Sequence, residues 1–208
     1  MSIDRHRFEV MLRQAADLWL EKASVLSEID SKFGDGDHGV TIGKIAKLFL
    51  SRTGEWREES LRDFIEALGD GVMAISGGSA GPLYGTLVGG LAGPLTDETA
   101  IDGPLLKKML AASLSAMKEI TKAGRDDKTM MDALIPAVEE ARAADDDPAE
   151  ILGAAARAAA AGAESTREKI SKFGRARSYG EKTIGTPDAG AVSTALLFQG
   201  LREGFLKQ

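Results

Sequence analysis

"FEVMLRQAADLWLEKASVLSEIDSKFGDGDHGVTIGKIAKLF", residues 8–49, reads as one apolar stripe, a break, and a second apolar stripe. Phe8, Met11, Leu12, Ala15, Leu18 and Trp19 recur every three or four positions, and the stripe continues through Leu26 and Ile29. Beyond the break, Ile42, Ile45 and Phe49 repeat the pattern. That period places apolar side chains along one face of an α-helix. The break crowds Asp30, Asp35 and Asp37 among Gly34, Gly36 and Gly39, with His38, one of two histidines, at its end. Two helices joined by an acidic turn are therefore predicted, and the remaining sequence extends the same theme.

A third helix aligns Leu61, Phe64, Ile65, Leu68 and Val72 within "REESLRDFIEALGDGVMAI", residues 57–75. The glycine-rich "SGGSAGP" (76–82) follows, then a helix from about Ser79 or Pro82 through Leu83, Leu87 and Leu91. Leu106, Met109, Leu110, Leu114 and Met117 mark a fifth helix. "DKTMMDALIPAVEEARAA" (127–144) is the sixth, and Pro136 inside it predicts a kink. The alanine-rich run 147–170 is the seventh, with Asp147 placed to cap it and Pro148 suited to its first turn. An eighth runs from about Ala191 to Phe205, after a long non-helical piece, 173–190. No segment alternates as a strand does. The reading is all-α, a single domain spanning 1–208.

Composition sets the outer bounds. The chain has 208 residues, 43% hydrophobic and 28% charged, as a globular domain does. A net charge of −6 argues against non-specific nucleic-acid binding, which needs a basic face. No run approaches the roughly 20 apolar residues of a membrane span. "MSIDRHRFEV" lacks the apolar core of a secretory signal. Without cysteine there are no disulfides, thiolate metal sites or cysteine nucleophiles. A cytoplasmic protein without a membrane or nucleic-acid partner is the expectation.

Three carboxylates this close repel one another. Either a divalent cation sits between them, or Asp37 caps the next helix and its neighbours form a solvated turn. Magnesium takes hard oxygen ligands. Asp35 and Asp37 lie two apart and project to one side of an extended loop, and Asp30 can fold over them from the preceding helix. Three carboxylates exceed the usual need of one magnesium ion, which suggests two ions sharing ligands. An EF-hand fails here, because counting from Asp30 its third, fifth and twelfth positions are Lys32, Gly34 and Thr41. "GVTIGKI" is no P-loop either: its glycines are one residue too close and Ile45 replaces the hydroxyl residue.

The loop 76–82 can cradle phosphate with its N–H groups, or it can be a plain tight turn. "AGRDDKTMM" can be a capped turn with Lys128 solvated. Arg175, Arg177 and Lys182 can meet phosphate or form an ordinary wet surface. Gathered at one end of a helical barrel, these loops would supply what a magnesium nucleotide needs, with Met130 or Met131 as a lid over adenine. The chemistry indicated is phosphoryl transfer.

"GDGDHG", "SGGSAGPLYGT", "DKTMMD", "GRARSYGEKTIG" and "PDAGA" occur in the order and spacing of one family. From about residue 5 onward the chain resembles the L subunit of dihydroxyacetone kinase, the DhaL or DAK2 domain family. The resemblance implies an antiparallel eight-helix barrel with ADP or ATP bound at one end. It implies that Asp30, Asp35 and Asp37 hold two Mg²⁺ ions bridging the phosphates. His38, Gly39, Val40 and Thr41 would contact phosphate from the helix start, with Gly78, Ser79 and Ala80 covering it. Gly124 and Met130 would flank adenine. Arg175, Lys182 and the turn Asp188, Ala189, Gly190 would close over the nucleotide, and His38 and Arg175 would act in catalysis.

The resemblance also implies a partner K subunit holding a short-chain ketose through a histidine. It implies a phosphotransferase-system M subunit that rephosphorylates bound ADP, or else exchangeable ATP as donor, and a homodimer. Departures are Ser79-Ala80 where the family reads Ala-Ser, Lys182 for Arg, Ala189 for proline, and "RSYG" for "SYLG". They leave the acceptor open to another short ketose, such as a tetrulose. A rival role is a nucleotide-loaded regulatory module binding a transcription factor.

Overall fold

The computed structural model describes residues 2–57 and 59–207. Met1, Gln208 and Glu58, the last within the approach to the third apolar run, lie outside them. Eight α-helices form among the described residues: α1 (Arg5–Ser31), α2 (His38–Glu55), α3 (Leu61–Met73), α4 (Ala80–Gly89), α5 (Gly103–Ile120), α6 (Met131–Ala143), α7 (Pro148–Ser165) and α8 (Ala189–Leu206). Their starts follow from local chemistry. Asp4, Ser60, Asp102, Asp147 and Asp188 each accept a backbone N–H of the following first turn, as N-caps do.

Consecutive helices pack side by side, and α8 returns against α1 to close the ring. Direction is readable along that seam: Ser193 meets Trp19, Gly200 sits on Ala15 and Gly204 on Met11. Steps up α8 are steps down α1, so the two run antiparallel. A Cβ on Gly200 would come 2.3 Å from the Ala15 Cα, so only glycine allows this approach. Trp19 fills the interior, tilted on Phe49 and edge-on to Tyr84 at 5.4 Å in each case. The stripes read from periodicity point inward: Phe8, Trp19, Ile42, Ile45, Phe49, Phe64, Leu68 and Phe198 are all buried. The alanines Ala155, Ala159 and Ala163 bury α7 between α6 and α8, which their small size permits.

Three details add to the sequence reading. First, Ile3–Asp4 (β1) and Ala100–Ile101 (β2) form a two-residue antiparallel pair, Ile3 opposite Ile101. A pair this short carries no alternation to read. It lies at the start of α1, roughly 40 Å along that helix from the acidic turn. Second, Pro136 lies inside α6, as read from the sequence. The proline leaves the Asp132 carbonyl without its helical donor, and Gly162 of α7 packs onto that oxygen, where a Cβ would fall at 2.1 Å. Third, much of 173–190 is helical: Arg175–Thr183 is a 3₁₀ segment broken by a kink at Gly180, whose φ of +55° is not helical, and α8 starts two residues early, at Ala189. Among the described residues no helix is long and apolar enough to cross a membrane.

Candidate functional site

The turn between α1 and α2 brings the acidic residues together. Asp30 stands in the last turn of α1, and Gly36, at φ +76°, reverses the chain so that Asp35 and Asp37 face it. One oxygen from each of Asp30, Asp35 and Asp37 lies within 4.8 Å of the others. Asp37 precedes α2, yet its side chain makes no capping bond. Capping therefore does not explain it. Burial, and then the neighbouring Asp35, push the Asp37 carboxyl above its ordinary value, with Asp30 adding to the repulsion. A cluster of hard oxygens carrying excess negative charge fits magnesium.

One cation reaches the cluster. Arg175 Nη1 lies 2.6 Å from Asp35 Oδ2, carried there by the 3₁₀ helix. A second link joins the same two loops: the rings of Phe33 and Tyr179 are 5.2 Å apart. Lys182, from the same 3₁₀ helix, is exposed and makes no ion pair among the described residues. Its closing role has no contact behind it here.

The glycine loop lies directly beside the acidic turn. Gly77 sits at φ +149° against Thr41, where a Cβ would fall 2.2 Å from Thr41 Oγ1, and Lys44 Nζ donates to the Ser76 carbonyl at 3.0 Å. The starts of α2 and α4 thus open on one mouth, and helix starts present N–H groups that favour anions. Val40, Gly78 and Ser79 are exposed there, while Gly39, Thr41 and Ala80 are buried behind them.

His38 turns inward. Its Nε2 is 2.8 Å from Ser193 Oγ, which is 2.7 Å from the Tyr84 hydroxyl, itself 3.0 Å from Thr194 Oγ1. Burial lowers the imidazole pKa against the opposing pull of Asp30. Met130 is buried, and Gly190 packs against it with a built Cβ 3.5 Å from Met130 Cβ. This joins the α6 start to the Asp188, Ala189, Gly190 turn. Met130 and Met131 are both buried, at the junction of the core and the mouth. Gly124 N donates to Asp127 Oδ2 at 2.8 Å, which fixes the loop before α6. Asp188 accepts from Ala191 N at 2.7 Å, and burial raises its carboxyl to about 7.

Lys128 is not solvated: it is 3% exposed and bonded to three backbone carbonyls. Ser193, Tyr84 and Thr194 were also absent from the sequence-based site. Their signal was available, as polar residues on the buried faces of α4 and α8.

A closed ring of eight helices with carboxylates, a glycine loop and a basic 3₁₀ helix at one mouth defines an all-α domain with a metal-suited site. Residues 32–203 match the DAK2 domain, and the chain belongs to that family. It is 31% identical to "PEP-dependent dihydroxyacetone kinase 2, ADP-binding subunit DhaL" of Listeria innocua, covering 99% of this chain and 97% of that protein. It is 33% identical to the "L-erythrulose 1-kinase" of Mycolicibacterium smegmatis, over 86% of this chain and 32% of that protein. The dihydroxyacetone kinase of C. freundii in complex with AMP-PNP and Mg²⁺ superposes with a TM-score of 0.71 at 26% identity, over 94% of this chain and 33% of that one. The chain therefore spans about a third of the erythrulose kinase and of the solved kinase, and nearly all of the Listeria subunit.

Proposed function

We propose that the chain is the nucleotide-binding, phosphoryl-transfer subunit of a dihydroxyacetone-type kinase. The observation that carries this reading is the convergence of Asp30, Asp35 and Asp37 within 4.8 Å beside Arg175 and the 76–79 loop. Its near-full-length likeness to a protein named as an ADP-binding subunit supports it. Asp30, Asp35 and Asp37 would hold Mg²⁺, one ion or a pair, which would supply charge neutralisation to the phosphates. The N–H groups from Gly78 to Ala80, and those from His38 to Thr41, would hold the phosphates. Arg175, exposed at the mouth, would leave Asp35 to stabilise the transferring group's charge. Met130 and Gly124 would border adenine, and the Asp188 to Gly190 turn would close that side. Lys182 would contribute a point charge at the rim.

The acceptor would be a short ketose held by a partner K subunit. ADP would remain bound as a cofactor rephosphorylated by a phosphotransferase-system M subunit; the Listeria relative's name, "PEP-dependent" and "ADP-binding subunit", is in keeping with this reading. A four-carbon ketose is the second reading, favoured by three erythrulose kinases among the relatives. Native mass spectrometry of the purified chain tests the cofactor role. Stoichiometric co-purified ADP supports it, and a ligand-free protein that turns over freely exchanging ATP overturns the phosphotransferase version.

A further inference from the structure

Beyond the mouth itself, the side chain of Lys128 is buried and held on all sides by backbone. Its backbone adopts φ +58°, a left-handed conformation that a non-glycine residue holds at a cost. Its Nζ donates to the carbonyls of Lys169 at 3.0 Å, Thr183 at 2.6 Å and Thr186 at 2.7 Å. An ammonium has three N–H donors, so these acceptors saturate it and leave none for a ligand. The three carbonyls come from both ends of one segment, 169–186, which emerges after α7 and returns to α8. That segment carries Arg175 outward to Asp35 and leads directly into the Asp188 cap.

Other bonds fix the platform on which Lys128 stands. Buried Asp132 accepts from Asp126 N at 2.7 Å, Thr129 N at 2.9 Å and Lys169 Nζ at 2.7 Å. Thr183 Oγ1 accepts from Ser171 N at 3.1 Å and donates to the Gly180 carbonyl at 2.7 Å. Thr166 Oγ1 accepts from Asp188 N at 2.9 Å. Three carbonyl oxygens aimed at one buried point repel one another unless a cation lies between them. Burial lowers the Lys128 pKa, and Asp188 and Asp132 pull the other way, toward the charged form.

We propose that Lys128 is a positioning residue: its ammonium is the tethered cation of a carbonyl cage that locks segment 169–186, and through it Arg175 and the Asp188 turn, over the nucleotide site. The effect on nucleotide rests on the function proposed above; the locking of the segment does not.

The test uses Lys128→Met, which keeps length and removes charge, and Lys128→Gly, which suits the left-handed backbone and empties the cage. In both, amide hydrogen exchange across 169–186 is expected to quicken by about tenfold or more while α1 and α8 keep their protection. Mg-ADP affinity is expected to fall by about tenfold or more. Ammonium chloride should restore protection and affinity in Lys128→Gly, and sodium chloride at equal concentration should not. A general loss of stability would give no such selectivity. Unchanged exchange and affinity in both variants would overturn the proposal, as would equal rescue by sodium.

Should both variants fail to fold, nitrogen-15 NMR of the wild-type chain decides. A Lys128 ammonium whose protons are shielded from solvent is expected, and exchange as fast as that of surface lysines would overturn the cage. A wild-type chain that does not bind Mg-ADP would end the functional reading, while the exchange measurements would still judge the lock.

Discussion

The guanidinium of Arg175 lies 2.6 Å from the carboxylate of Asp35, so the basic 3₁₀ helix and the acidic turn meet across the open end of the barrel. The side chains are 63% and 40% exposed, and an ion pair that wet contributes only about 0–1 kcal/mol to stability. Arg175→Ala is therefore expected to shift the melting temperature very little. Mg-ADP affinity should fall by about tenfold, since a charge-assisted contact to phosphate is worth roughly 1.5–3 kcal/mol. Parallel thermal melts and calorimetric titrations check this, and a large stability loss with normal affinity would reverse the assignment.

Asp37→Asn removes one of three mutually repelling charges and opens no cavity. The metal-free protein should be as stable as wild type or more so, because the folded state now holds that carboxyl against repulsion. Stabilisation by magnesium and ADP should disappear in the same variant. Melting curves with chelator and with Mg-ADP give both readings in one experiment.

Asp188 sets a pH dependence. Its carboxyl lies near the ordinary 3.8 in the unfolded chain and rises to about 7 in the fold, where burial favours the protonated form. Stability from that proton is fully present below the unfolded value and is lost as pH rises through the folded one. The metal-free wild type should lose melting temperature between about pH 4 and pH 7 from this group. Asp188→Asn keeps an N-cap acceptor for Ala191 N and should flatten that part of the slope.

Much of this arrangement was legible from residues near one another in sequence. The stripe from Phe8 to Ile29 and its counterparts gave the helix count, because a core-facing helix must repeat apolar residues every three or four positions. The acidic turn was legible because Asp35 and Asp37 are two apart beside a helix end. The 3₁₀ helix Arg175–Thr183 was not, since a charged run punctuated by Gly174 and Gly180 has no α-helical period. The burial of Lys128 was not legible for a related reason. The carbonyls that bury it come from residues 169, 183 and 186, and no local pattern announces them. The two-residue pair Ile3 with Ile101 is likewise a long-range event with too little sequence to signal it.

The seam between α1 and α8 offers a contrasting test of the fold. Gly200→Leu would drive a side chain into the Ala15 backbone, where a Cβ alone already falls at 2.3 Å from Cα. Overpacking of this kind costs about 1–3 kcal/mol or more, so chemical denaturation should show a clear loss. Ser193→Ala is milder: it removes one of the His38 partners at a cost of about 1 kcal/mol while Tyr84 keeps Thr194. With the partner subunit supplied, that variant should slow phosphoryl transfer more than it weakens Mg-ADP binding, because the His38 ring is then held by the Ala189 backbone alone.

Calorimetric titration of ADP into the purified, nucleotide-stripped chain, with magnesium and again with chelator, bears most directly on the acidic turn. Saturable one-to-one binding that requires magnesium, and that disappears in Asp35→Asn and Asp37→Asn, is the expected result. Binding of equal strength in chelator, or undiminished affinity in both variants, would contradict Asp30, Asp35 and Asp37 as the site where magnesium meets the nucleotide.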